Sequence, residues 1–101
     1  MIVVLTTMPD FKSAHKLAGE IVQKKLAACV SIIQNINSIY QWKGKVEKTR
    51  ECLVVIKAPK TQWKALEKFV LSRHLYELPE LIALPVTRVS KKYLSWIYRA
   101  L

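Results

Sequence analysis

The sequence predicts an α+β fold, in which an antiparallel sheet carries helices on one face. Two observations predict it. Runs of apolar, β-branched residues alternate with segments whose apolar residues recur at helical spacing, in the order β-α-β-β-α-β-α. The 101 residues are 51% hydrophobic and 24% charged, which suffices for a packed core at this length. Two glycines and four scattered prolines form no linker, so we expect one domain covering residues 1–101.

The first strand and the first helix are predicted within residues 2–26. Residues 2–7 are almost continuously apolar or β-branched, which predicts a strand in the middle of the sheet, and Pro9 ends it. Asp10 is a candidate N-cap for the helix that follows. That helix is expected to run to about Leu26, because apolar side chains recur along one side of it: Phe11, Ala14, Leu17, Ala18, Ile21 and Val22.

A long β-hairpin is predicted in the middle of the chain. Cys29–Trp42 alternates with period two, Lys43 and Gly44 form a candidate turn, and Lys45–Ala58 is the returning strand. Each arm would be about 45 Å long at about 3.3 Å per residue. One face of the first arm is expected to carry Val30, Ile32, Ile36, Tyr40 and Trp42.

The register of this hairpin decides whether the two cysteines can bond. Pairing about the turn places Cys29 opposite residue 58 and Cys52 opposite Asn35. The cysteines are then about 20 Å apart along the strands, whereas a disulfide needs Cα atoms within about 7 Å. We therefore expect two free cysteines.

The second half of the chain predicts a helix, a strand and a further helix. Pro59 ends the third strand, and Thr61 is a candidate N-cap for a helix that ends near His74. Residues 80–89 predict a fourth strand, at a sheet edge because Pro85 lacks an N–H donor. Ser90 is a candidate cap for a terminal helix over residues 91–100. The first six elements have the ferredoxin-like βαββαβ order, to which the long β2-β3 hairpin and the C-terminal helix are additions.

The net charge of +10 and a pI near 9.9 raise the question of nucleic acid. The basic residues are spread evenly, so a solvated lysine-rich surface explains them better than a nucleic-acid footprint. A basic ferredoxin-like nucleic-acid-binding module stays open as the alternative, although RNA-recognition domains of this topology stack bases on third-strand aromatics. Lys45–Ala58 contains no aromatic residue, so no specific nucleic acid is expected.

Catalytic motifs are absent from the sequence. There is no GxSxG, P-loop or GxGxxG pattern, and Thr6-Thr7-Met8-Pro9 lacks the Arg and Gly that an acylphosphatase-like phosphate cradle would need. We expect a non-enzymatic protein that requires no cofactor. No apolar run reaches the length of a membrane span and no secretory signal is recognisable, so we expect a cytoplasmic protein without a membrane partner.

Of the two histidines, only His74 is a candidate functional residue. His15 lies off the apolar side of its helix, where a solvated side chain is the simplest interpretation. His74 stands where the second helix ends, close in sequence to Tyr76 and Glu77. Its imidazole could bind a first-row metal or act as a general acid, and a structural role at the helix end is the alternative.

Several motifs, taken together, resemble the CutA divalent-ion tolerance family. They occur in order along essentially the whole chain, as Val3-Val4-Leu5-Thr6-Thr7, Ala27-Ala28-Cys29-Val30, Tyr40-Gln41-Trp42-Lys43-Gly44-Lys45, Ile56-Lys57, His74-Leu75-Tyr76-Glu77-Leu78-Pro79-Glu80 and Tyr93-Leu94-Ser95-Trp96. The resemblance implies a ferredoxin-like protomer in a homotrimer, similar to the PII signalling proteins, with sheets that meet edge to edge. It also places Tyr40 and Trp42 of the hairpin in the trimer interface.

The resemblance further implies binding of a divalent metal, copper or zinc, in metal tolerance or signalling. The ligands proposed for the family correspond here to Thr6, Arg73 and His74, and only the histidine is a good copper ligand. Cys29 is a second candidate metal ligand. The resemblance also implies a cleft between protomers, lined by Lys57, Tyr76 and Glu77 together with Cys29 and His74, that binds a metal or a small ligand. A satisfied polar network that supports the trimer is the alternative role for these residues.

Overall fold

The computed structural model describes residues 1–101 and has the predicted order of elements. Four antiparallel strands form one sheet in the order β2-β3-β1-β4, with three α-helices. This confirms the α+β, ferredoxin-like prediction. The elements are β1 (Ile2–Met8), α1 (Phe11–Gln23), β2 (Cys29–Trp42), β3 (Lys45–Ala58), a 3₁₀ turn (Lys60–Gln62), α2 (Trp63–Arg73), β4 (Ile82–Pro85) and α3 (Lys91–Arg99).

The hydrophobic core lies between one face of the sheet and helices α1 and α2. Alternate residues of β1 and β3 point into it, as expected for strands with one covered face. The core is a single cluster of Ile2, Val4, Met8, Ala14, Leu17, Ile21, Ala27, Cys52, Val54, Ile56, Ala58, Leu66 and Val70. Burial of these side chains on a common face is what fixes the two helices against the sheet.

The second face of the sheet is only partly covered. Its apolar residues Val3, Leu5, Leu53 and Val55 are half-buried in the protomer. Helix α3 lies against one end of this face, where Tyr93 is a neighbour of Cys29.

The β2-β3 hairpin protrudes from the sheet. Strand β1 pairs with β3 only as far as Cys52, so residues 36–42 and 45–51 pair with each other and with no other strand. Lys43 and Gly44 make the predicted turn, with φ of 51° and 80°. Positive φ at both positions gives the type I′ geometry that matches the twist of the flanking strands. The hairpin makes the protomer elongated, with a long axis of 45 Å.

A β-bulge in β2 corrects the predicted register. Between Ile33 and Ile36 the strand contains one more residue than β3, and Asn35 takes up a positive φ of 59°. Cys29 therefore lies opposite Lys57, not opposite residue 58. Both cysteines are free, as expected.

The bulge also corrects the predicted faces of β2. An extra residue reverses the alternation of side chains beyond it. Val30 and Ile32 pack against the core, whereas Ile36, Tyr40 and Trp42 lie on the opposite face of the sheet. The prediction that these five side chains share one face was wrong.

Two helix ends also differ from the predictions. Asp10 is the N-cap of α1, accepting a hydrogen bond from Ser13 N at 2.8 Å, but the helix ends at Gln23 and not near Leu26. Lys25, at a φ of 58°, cannot continue a right-handed helix. Thr61 is not a cap, because it lies inside the 3₁₀ turn that precedes α2.

The fourth strand is shorter than predicted. Only Ile82–Pro85 pairs with β1, at the edge of the sheet as expected, and the strand ends at its proline. Ser90 occupies the N-cap position of α3 without a side-chain cap bond. No helix has the length and apolar character required to cross a membrane.

Candidate functional site

A groove runs between the protruding hairpin and the loop that follows α2. Its volume is about 510 Å³, within the range of small-molecule sites. We call it the hairpin groove, and its lining consists of Thr7, Ser38, Ile39, Tyr40, Trp42, Thr49, Glu51, Tyr76, Glu77, Leu78 and Glu80. The groove exists because β3 extends beyond the end of β1, leaving the loop to fold over the exposed strand.

Glu51 and Tyr76 join the two walls of the hairpin groove. The Tyr76 hydroxyl donates to Glu51 Oε1 at 2.8 Å, although the two residues belong to different walls. Burial, and then the Glu51 carboxylate, raise the pKa of the Tyr76 phenol above its ordinary value. The phenol therefore keeps its proton at neutral pH and remains a hydrogen-bond donor.

His74 uses both of its ring nitrogens within the chain. Tyr76 N–H donates to Nδ1 at 3.1 Å, so the neutral ring carries its hydrogen on Nε2. Nε2 lies 3.1 Å from Thr6 Oγ1, and that hydroxyl in turn donates to the Glu80 carbonyl at 2.6 Å. The imidazole therefore connects the end of α2 to β1 and to the loop beside the groove.

Burial lowers the pKa of His74 below its ordinary value, and the Thr7 backbone and the Glu51 charge oppose this shift only in part. A lowered pKa favours the neutral ring, which is the form that the two hydrogen bonds require. Arg73, the neighbouring position, points elsewhere: its guanidinium lies 3.6 Å from Glu20 and 4.9 Å from the Phe69 ring.

Cys29 lies in a second polar cluster, at the other end of the sheet. Lys57 Nζ is 3.7 Å from Cys29 Sγ and 2.5 Å from Ser31 Oγ, and Tyr93 of α3 is a neighbour of the same thiol. Burial, and then the neighbouring thiol, raise the pKa of Tyr93. These four residues, the Cys29 cluster, lie between the second face of the sheet and α3.

The predicted site residues thus fall into three places. Tyr40, Trp42, Tyr76 and Glu77 all line the hairpin groove. The predicted pair of Cys29 and Lys57 is in contact, but in the Cys29 cluster. His74 contacts Thr6, on the core face of the sheet.

The two candidate metal ligands are separated within one protomer. Cys29 lies beside Lys57, which pairs with Val3 of β1. His74 contacts Thr6, which is three residues further along the same strand. Three residues of a strand span about 10 Å, whereas zinc lies about 2.0–2.3 Å from nitrogen and sulfur ligands. No group of three or more His, Cys, Asp or Glu side chains is arranged to hold a metal ion.

Sequence reasoning missed Glu51. Glu51 is the most buried charged residue of the chain, with 8% of its surface exposed, and it lines the hairpin groove. Its position could have indicated a role, because this acidic residue stands directly before the apolar half of β3. The groove hydroxyls of Thr7, Ser38 and Thr49 were missed as well.

Comparison with known proteins identifies the family. The chain matches the sequence model of the family described as "CutA1 divalent ion tolerance protein" over residues 2–100. The chain belongs to the CutA1 family. This confirms the resemblance inferred from the motifs, and it assigns the chain to a family of divalent-ion tolerance.

Individual relatives agree with the assignment. The chain is 47% identical to "Protein CutA, chloroplastic" of Arabidopsis thaliana, over 95% of this chain and 53% of that protein. It is 41% identical to "Divalent-cation tolerance protein CutA" of Yersinia pestis, over 99% of this chain and 84% of that protein. The crystal structure of CutA1 from Oryza sativa superimposes with a TM-score of 0.95 at 42% identity, over 98% of this chain and 91% of that one. The chain spans about half the length of the plant and mammalian relatives that it matches.

Proposed function

We propose that this protein acts in divalent-ion tolerance as a non-enzymatic homotrimer that binds a divalent metal, copper or zinc, or a small ligand in clefts between protomers. The observation that carries the proposal is the protruding hairpin with the groove beside it. Together they present unpaired strand edges and a lined cleft at one end of the protomer. No cofactor is required by this function, and we expect it to be exercised in the cytoplasm.

The homotrimer would cover surfaces that one protomer leaves exposed. The outer edges of β2 and β4 have no strand partner. Both edge strands carry exposed apolar side chains. Ile33 on β2 and Ile82 and Leu84 on β4 are each about half exposed. A long strand edge with apolar neighbours is an aggregation hazard unless another strand covers it. Pairing between copies of the same chain removes the hazard by symmetry.

A metal site would need donors from more than one protomer. Cys29 and His74 lie too far apart to share an ion within one protomer, so each would combine with donors of a neighbouring copy. Binding at His74 would also cost one of its two hydrogen bonds, with Thr6 or with Tyr76 N–H. We therefore expect metal affinity to depend on assembly, because an isolated protomer offers single, dispersed ligands.

Equilibrium dialysis with Cu²⁺ and Zn²⁺, combined with analytical ultracentrifugation, tests this function. The trimer is expected at about 35 kDa, three times the chain mass of 11.7 kDa. Wild type should bind metal, His74→Ala and Cys29→Ser should bind less, and the exposed-histidine control His15→Ala should match wild type. A trimer in which all four proteins bind equal, negligible metal would remove the metal claim. A monomer would remove the assembly.

A further inference from the structure

The hairpin groove is acidic in a strongly basic chain. The chain has 17 Lys and Arg against 7 Asp and Glu, yet three of those seven, Glu51, Glu77 and Glu80, line this one groove. No Lys or Arg is among its lining residues. The local charge is therefore opposite to the net charge of the molecule, which favours a cationic ligand at this place.

The carboxylates share the groove with aromatic rings. Tyr40, Trp42 and Tyr76 line it alongside Leu78. Aromatic faces attract ammonium groups and also pack against methylene groups. The Trp42 ring already has a cation near it, since Lys43 Nζ lies 5.6 Å from the ring centroid. Carboxylates interleaved with aromatic rings suit a cation that carries carbon atoms.

Glu51 has an unused acceptor that faces the groove. Its side chain is more than nine-tenths buried, and Tyr76 satisfies only Oε1. No fully enclosed side-chain oxygen or nitrogen lacks a partner, so Oε2, which receives no hydrogen bond from the chain, is open to the groove. A carboxylate oxygen that the chain leaves without a donor can accept a hydrogen bond from a ligand, and a charged N–H donor makes the strongest such bond.

A bare divalent ion fits these acids less well than an organic cation. Metal ions need several ligands converging at about 2.0–2.6 Å, and the groove carboxylates form no such group. An amine with charges spaced along an aliphatic chain needs no convergence, because each ammonium group meets one carboxylate.

We propose that the hairpin groove binds a linear organic polyamine. One ammonium group would donate to Glu51 Oε2, a second would meet Glu77 or Glu80, and the methylene groups between them would pack on Tyr40 and Trp42. This inference deepens the proposed function, because it rests on the same cleft and names a chemical class for its small ligand.

Isothermal titration calorimetry with spermidine tests the proposal on the full chain as it assembles, in about 150 mM salt, where long-range repulsion from the basic surface is screened beyond about 8 Å. Wild type should bind spermidine. Glu51→Gln, which keeps an oxygen acceptor for Tyr76, should weaken binding about tenfold or more, the loss expected for a charged hydrogen bond. Glu77→Gln, on an exposed loop position, tests the second contact without risk to folding.

Glu67→Gln on α2 is the matched control, since it removes the same charge outside the groove and should bind like wild type. Equal affinity of Glu51→Gln, Glu77→Gln and this control would overturn the inference, because attraction would then be non-specific. Failure of wild type to bind spermidine, with trimer and copper binding intact, would overturn the polyamine alone. A wild-type protein that neither forms a trimer nor binds metal would overturn the proposed function itself.

Discussion

The Thr6 hydroxyl joins β1, α2 and the groove loop, so its removal tests how the site is held together. Thr6 is completely buried in β1. Its hydroxyl accepts from His74 Nε2 at 3.1 Å and donates to the Glu80 carbonyl at 2.6 Å. Thr6→Val keeps the shape and the strand propensity of the residue and deletes only these two hydrogen bonds.

The expected cost is about 2 kcal/mol in the free energy of unfolding. A buried group left without its partner costs about 1–3 kcal/mol. Thr6→Val leaves two groups without a partner, the Nε2–H of His74 and the carbonyl of Glu80. The lower part of that range applies, because His74 is half-buried and Glu80 is exposed, so water can reach both partners. The added methyl group of valine offsets a further part of the cost.

Urea unfolding, followed by far-ultraviolet circular dichroism at a fixed protomer concentration, measures this cost. Thr6→Ser is the matched control, since it keeps the hydroxyl and loses a methyl group, for about 1 kcal/mol or less. We expect Thr6→Val to be the less stable of the two variants. A double-mutant cycle with His74→Phe should give a coupling energy of at least about 0.5 kcal/mol.

Two results would refute this interpretation of Thr6. One is a Thr6→Val protein as stable as wild type, which would mean that the hydroxyl contributes no net free energy. The other is a coupling energy near zero with His74→Phe, which would mean that the two side chains act independently. In either case the imidazole would be free to serve as a metal ligand without loss of structure.

Three further predictions concern stability and use the same urea assay. The folded protein should lose stability as pH falls below about 6.5. The pKa of His74 is lowered in the folded protein, so the unfolded chain binds the proton more readily. His74→Gln should reduce this loss of stability, and the control His15→Gln should not. Asp10→Ala should destabilise by about 1 kcal/mol, and Asp10→Asn should retain the cap. Gly44→Ala should cost about 1 kcal/mol, because φ at this position is 80°. A free energy of unfolding that does not change with pH would contradict the prediction for His74. Unchanged stability of Asp10→Ala or of Gly44→Ala would contradict the prediction for the helix cap or for the turn.

The order of the elements was predictable because its signals are local. The apolar run of β1, the helical spacing of α1 and the turn at Lys43 and Gly44 each specify structure within a few residues. The bulge at Asn35 was not predictable in this way. A single inserted residue leaves period-two alternation intact on each side of it, and only pairing with β3 reveals that the faces have exchanged.

The candidate site was predictable in its members more than in its arrangement. His74, Tyr76 and Glu77 stood out because they follow a helix end. Which partners they meet depends on how the loop folds over the sheet, and this brings Tyr76 to Glu51 and His74 to Thr6. The first contact joins residues 25 positions apart and the second joins residues 68 positions apart, so neither leaves a local pattern in the sequence.

A crystal structure can show whether the metal site forms between protomers. Crystals of the full chain soaked with Cu²⁺ should give an anomalous difference map with copper peaks at protomer boundaries. We expect a homotrimer in which each ion has donors from two chains, with His74 or Cys29 among them. Copper held entirely by the side chains of one protomer, or a trimer that takes up no copper, would contradict it.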